Sequence, residues 1–137
     1  MVKFYLDTCI WRDYFENRSD KFRPLGDWAL LIIKKIIEES DLIIFSDLVK
    51  EELFIAFSET EIKEILSIVP EQLLIRIVSS AEQLQESIKL ARELKLPKKD
   101  VLHAILARDN DAVLISRDKH FSSLTEQVTI KKPEDLI

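Results

Sequence analysis

Five short apolar runs, Val2 to Leu6, Leu42 to Phe45, Leu74 to Val78, Ala112 to Ile115 and Val128 to Ile130, alternate with amphipathic stretches of helical length. Runs this short and this rich in β-branched residues read as strands. Apolar side chains at successive positions require burial on both faces of the sheet. A chain that alternates such strands with helices satisfies that requirement by laying helices over both faces of a parallel sheet. The expected class is therefore α/β, with about five strands. At 137 residues the chain fits a single domain, 1–137, able to bury roughly two-thirds of its unfolded surface. No linker, internal repeat or low-complexity stretch divides it.

The helices carry their own signals. The segment from Leu25 to Glu39, with Trp28, Leu31, Ile32 and Ile36, reads as one long buried helix. Asp47 and Ser58 are expected as helix caps, and the spacings Ser58 to Glu61 and Ser80 to Gln83 match the capping box, in which each side chain satisfies the other's backbone N–H. After Ser80, the residues Ala81, Leu84, Ile88, Ala91 and Leu94 recur at three or four, as the buried face of a helix would. Leu96-Pro97 ends that helix. The polar segment Glu16 to Lys21 reads as a loop or a frayed helix end.

Composition removes several classes of function. The single glycine, Gly26, excludes the glycine-rich phosphate loops of P-loop and dinucleotide-binding proteins. The single cysteine, Cys9, excludes an internal disulfide and the cysteine-rich zinc arrangements. With neither a signal peptide nor a long apolar span in the sequence, a soluble cytoplasmic protein with no membrane partner is expected. The formal charge of −5 supplies no general attraction to a polyanion, so such a substrate would need a local basic patch or a bound metal.

Four acids stand where an apolar strand or helix meets a polar turn. Asp7 follows the first strand, Glu52 lies one turn into the helix after the second, Asp100 opens a helix, and Asp118 follows the fourth strand. In an open parallel sheet, ligands bind beyond the carboxyl ends of the strands, where Asp7 and Asp118 fall. Each acid also has an ordinary reading. Asp7 and Asp118 suit helix caps, Asp100 suits a first turn favoured by the helix dipole, and Glu52 suits a solvated helix surface. Glu52 is chosen over Glu51 because it shares a helix stripe with Leu48 and Ile55. Four such placements together point to one metal site. His103 and His120 match no metal-ligand spacing and are expected in helix packing or on the surface. Cys9 is expected as a small buried residue and not a nucleophile.

These segments resemble the PIN domain, the metal-dependent ribonuclease family that includes the VapC-type toxins of prokaryotic toxin–antitoxin pairs. Tyr5-Leu6-Asp7-Thr8-Cys9-Ile10 is similar to the family's strand followed by D-T-S/N. Ser46 to Leu53 is similar to S-x-x-V-x-x-E-L, Lys99 to Ala107 to D-x-x-H/I-A-x-x-A, and Ile115 to Phe121 to T/S-x-D-x-x-F. Order and spacing agree along nearly the whole chain. The sequence departs from the pattern at Cys9, where Ser or Asn is usual, and at His120, where many relatives carry a further acid.

The resemblance implies a three-layer α/β/α fold and a divalent-metal-dependent endoribonuclease. Asp7, Glu52, Asp100 and Asp118 would be its catalytic and metal-binding acids, Mg²⁺ or Mn²⁺ its cofactor, and Thr8 and Ser116 supporting hydroxyls. Arg117, Lys119, Lys98 and Lys99 would contact the RNA phosphates, and a cognate antitoxin and a homodimer are implied as partners. A phosphatase of the haloacid-dehalogenase type also begins with an aspartate after its first strand, but it needs a second aspartate where this chain has Cys9. A catalytically inert module of the same fold, binding RNA or a protein, is the remaining alternative.

Overall fold

The computed structural model describes residues 1–137. Its five strands are β1 (Lys3–Leu6), β2 (Leu42–Ser46), β3 (Leu74–Ile77), β4 (Ala112–Ile115) and β5 (Ile130–Lys131). They form one sheet in the order β3-β2-β1-β4-β5, and every pairing is parallel. The helices are α1 (Thr8–Glu16), α2 (Leu25–Glu38), α3 (Asp47–Phe54), α4 (Glu59–Leu66), α5 (Ala81–Leu94) and α6 (Lys98–Asp109), with short 3₁₀ turns after Pro70, Asp118 and Lys132. The expected α/β/α arrangement is thus present. The fifth strand begins two residues and ends one residue later than expected, because Val128 turns into the core just ahead of it while Ile130 and Lys131 pair with β4.

The strand order decides where a site can form. From β1 the chain steps outward through β2 to β3, then returns to place β4 and β5 on the other side of β1. The direction of winding therefore reverses between β1 and β4, and the loops leaving those two strands diverge and open a crevice. Asp7 begins the loop after β1, and Ser116 to Asp118 begin the loop after β4.

Tyr5, Leu6, Ile43, Ile44, Leu114 and Ile115 fill the middle of the sheet and belong to one continuous apolar core. Helix α6 is buried from Val101 through Ala107, and Ala104 and Ala107 are among its buried residues; side chains this small let helices pack closely. Helix α2 is amphipathic and not buried all round. Leu25, Gly26, Ala29, Ile32, Ile33 and Ile36 face the core, while Leu31 is exposed.

Both capping boxes form as expected, at Ser58 with Glu61 and at Ser80 with Gln83. The cap of α3 is Ser46 and not Asp47: the Ser46 hydroxyl accepts from the Val49 N–H. Asp47, one residue later, reaches across to accept from the Ser79 N–H and hydroxyl, and so ties the end of β3 to α3. The expected inner face of α5 is also corrected. Ser87 and Ala91 point inward, whereas Leu84 and Ile88 are 41% and 44% exposed.

Gly26 is required by a close approach. A Cβ there would stand 2.7 Å from the Asn17 Cα and 2.8 Å from the Asp13 carbonyl oxygen, at the junction of α1 and α2.

Candidate active site

Asp7 leaves β1 and caps α1. Its Oδ1 accepts from the Thr8 N–H at 2.8 Å, and its Oδ2 accepts from the Ser116 hydroxyl at 2.8 Å and from the Cys9 thiol at 3.3 Å. Its reading as a cap and its place in the crevice therefore hold together. Ser116 also accepts from the Asp118 N–H at 3.0 Å, so the loops after β1 and β4 are joined through one hydroxyl. Burial, and then the charge of Asp7, push the Cys9 thiol well above its ordinary pKa. A thiol kept protonated is a weak donor and not a nucleophile.

Glu52 lies on α3 and faces Asp7, while Glu51 points to solvent. Its Oε1 accepts from the Thr8 hydroxyl at 2.7 Å and is 2.6 Å from His103 Nε2. Ile55, expected as a buried neighbour on the same stripe, is instead 81% exposed.

His103 lies on α6, is 1% exposed, and is the residue that sequence reasoning most undervalued. Its Nδ1 is 2.7 Å from the Tyr5 hydroxyl, which is itself 2.7 Å from the Ser46 hydroxyl. With neutral imidazole, one directed chain satisfies every group: Val49 N–H to Ser46, Ser46 to Tyr5, Tyr5 to Nδ1, and Nε2–H to Glu52. Its signal in the sequence was the spacing Asp100 to His103, which sets the imidazole one turn behind the carboxylate. Burial opposes charge on His103, but the hydrogen bond to Glu52 and the carboxylates of Asp7, Glu52 and Asp100 outweigh it and raise its pKa above the ordinary value. For Glu52, burial is likewise outweighed, by His103, Thr8 and Lys99, so its carboxyl is held below the usual range.

Asp100 and Asp118 form the other half of the site. Asp100 stands in the first turn of α6, and Asp118 caps the 3₁₀ turn after β4, accepting from the His120 N–H. His120 Nδ1 is 2.7 Å from Asp100 and 3.2 Å from Asp118. Burial, and then the Asp118 charge, raise the Asp100 pKa, with His120 offsetting part of the rise and Asp7 adding to it. The four acids are therefore arranged as two adjoining groups, Asp7 with Glu52 and His103, and Asp100 with Asp118 and His120. In each group the candidate ligand atoms lie within 4.8 Å of one another.

Of the expected phosphate contacts, Lys98, Lys99 and Lys119 are exposed; Lys119 lines a cleft with Ser116 and Asp118, and Lys99 is close enough to Glu52 to favour its ionised form. Arg117 is not exposed. Its side chain is only 12% exposed, and its guanidinium pairs with Asp13 and Glu134 and stacks over the Trp28 ring. It braces α1, α2 and the C-terminal turn from beneath the loop.

The chain matches the PIN domain over residues 4–127. It belongs to the PIN-domain family. Among solved structures, VapBC2 from Rickettsia felis bound to a promoter DNA fragment aligns with a TM-score of 0.68 at 18% identity, covering 96% of this chain and 98% of the other. A toxin–antitoxin complex from Klebsiella pneumoniae gives 0.63 at 21%, with 95% and 97% covered. FitAcB from Neisseria gonorrhoeae gives 0.64 at 16%, with 97% and 99% covered. These likenesses are of the PIN fold. No curated protein matches the chain. No helix is long and apolar enough to cross a membrane.

Proposed function

We propose that this PIN domain is a divalent-metal-dependent endoribonuclease that hydrolyses RNA phosphodiester bonds, acting as the toxin of a toxin–antitoxin pair. The reading is carried by the convergence of Asp7, Glu52, Asp100 and Asp118, from four separate elements, on the crevice where the sheet reverses its winding. Carboxylates this close repel one another unless a cation offsets their charge, and the raised pKa of Asp100 is that repulsion added to burial. The donor set is mostly hard oxygen, which fits Mg²⁺ or Mn²⁺. Asp7 and Asp100 would be the principal ligands, with Asp118 and Glu52 completing the shell or orienting water. When bound, such an ion polarises the scissile phosphate and lowers the pKa of attacking water.

The chain's own residues hold this arrangement in place. Ser116 and the Thr8 N–H fix the two oxygens of Asp7. Thr8 and His103 both bind Oε1 of Glu52, which leaves Oε2 available to a water molecule. Lys119, Lys98 and Lys99 supply positive charge for the phosphates of the RNA. Arg117, expected in the same role, acts as a brace.

The likeness to a toxin–antitoxin complex supports a cognate antitoxin as partner. A homodimer in the cytoplasm completes the proposal. The alternative of an inert module draws on the acidic net charge and on His120, whose imidazole lies against both Asp100 and Asp118. A metal-supplemented RNA cleavage assay separates the two. Cleavage by the wild type that is lost in Asp7→Asn is expected. Equal cleavage by both proteins would overturn the site, and cleavage by neither would favour the inert module.

A further inference from the structure

Beside the acids, on the β5 side, lies a cleft of about 520 Å³. Ser116 and Asp118 belong to its wall, so it opens directly from the candidate active site. Arg23, Lys119, Lys131 and Lys132 also line it, with the hydroxyls of Ser122 and Thr125. Arg23 pairs with Asp20, whereas Lys119, Lys131 and Lys132 form no ion pair. Of the two carboxylates facing the cleft, Asp118 caps the 3₁₀ turn and Asp135 accepts from the Lys132 N–H. In a chain whose net charge is −5, three unpaired lysines in one polar cleft are a local reversal of sign. Clefts lined by one sign of charge concentrate the opposite one.

On the far side of the acids, Lys99 is close enough to Glu52 to favour its ionised form. Glu52 follows β2, and the cleft lies beyond β4 and β5, so cations flank the carboxylates on both sides.

We infer that the cleft bounded by Lys119, Lys131 and Lys132 is a phosphate-binding subsite that holds the RNA strand on one side of the scissile bond. RNA is taken as the ligand from the proposed function; the subsite itself rests on the cleft. A strand drawn into it and toward Lys98 and Lys99 at the other end crosses the acids between. Lys131 and Lys132 touch no member of the acidic set, so their role is binding along the strand and not chemistry.

The test is the salt dependence of binding to a short, unstructured, labelled RNA, followed by fluorescence anisotropy in the full chain carrying Asp7→Asn. Lys131→Gln with Lys132→Gln is compared with Lys34→Gln with Lys89→Gln, an equal change of charge on exposed positions of α2 and α5. The cleft pair is expected to weaken binding about tenfold at low salt and to reduce the log–log salt slope by about 0.7 per lysine. The control pair is expected to leave the slope as it was. Thermal melts should superimpose, since all four lysines are exposed and free of ion pairs.

Equal slopes for the cleft and control pairs would overturn the subsite. So would an absence of RNA binding by the chain, which would leave the cleft to an acidic polypeptide. The failure of the nuclease reading looks different. If the wild type does not cleave RNA yet the cleft pair alone loses binding, the subsite stands and the catalytic proposal falls. If the wild type cleaves RNA and the cleft pair changes nothing, the reverse holds.

Discussion

At the scale of single residues, the site depends on how its carboxylates are held. Tyr5 is fully buried and its hydroxyl joins Ser46 to His103, so Tyr5→Phe leaves two buried polar groups unpaired. A loss of about 1–3 kcal/mol is expected, seen as a lower denaturant midpoint at unchanged m value. The same change releases the imidazole that fixes Glu52, so RNA cleavage is expected to fall along with stability. The shifted carboxyl and imidazole pKa values give a second prediction. His103 has a raised pKa in the fold, so its contribution is present below about pH 6.5 and lost as pH rises through the folded value. Asp100 is also raised, and the fold binds its proton longer than the unfolded chain does, so it too loses stability with rising pH. Glu52 is lowered, and its contribution is lost only as pH falls through its folded value. Melting temperatures in a chelator should therefore fall from about pH 5 to about pH 8. Added Mn²⁺ should reverse more of that fall at the upper end, where Asp100 is ionised. A melting temperature that rises over this range without metal would contradict the assignment.

At the scale of elements, the junctions explain which sequence readings held. The capping boxes at Ser58 and Ser80 were legible because a cap is a local event, settled by residues three apart. Ser58→Ala is expected to cost about 0.5–2 kcal/mol, read from the denaturant midpoint. Periodicity gives α5 an apolar stripe but not the neighbour it meets; Ser87 and Ala91 turn inward and leave Leu84 and Ile88 outside. In the sequence a lone Gly26 says only that no glycine-rich phosphate loop is present. Its place between Asn17 and the Asp13 carbonyl is a tertiary fact, and Gly26→Ala is expected to cost about 1–3 kcal/mol by forcing α1 and α2 apart. Arg117 shows the same limit. Next to Asp118 in sequence it reads as a phosphate contact, but folding turns it beneath the loop to meet Asp13 and Glu134, with Asp13 itself buried. Arg117→Gln would leave Asp13 buried with less compensation, at a cost of about 3–5 kcal/mol. Its effect should appear in the midpoint of unfolding before any effect on RNA affinity.

At the scale of the whole molecule, the order of strands makes the site. Asp7, Glu52, Asp100 and Asp118 span most of the chain, yet the reversal of winding between β1 and β4 brings them to one crevice. The alternation of strands and helices was legible; Asp7 and Asp118 stand where an apolar strand stops, Asp100 lies in the first turn of α6, and Glu52 lies within α3. Their division into two groups was not legible, nor was the burial of His103 behind Glu52, since both depend on how α3 and α6 face each other across β1. The central claim is that these carboxylates bind a divalent ion, and titration calorimetry with Mn²⁺ at neutral pH tests it most directly. Saturable binding by the wild type, strongly weakened in Asp7→Asn and in Asp100→Asn, is the predicted result; no binding by the wild type at millimolar Mn²⁺, or equal binding by all three proteins, would contradict it.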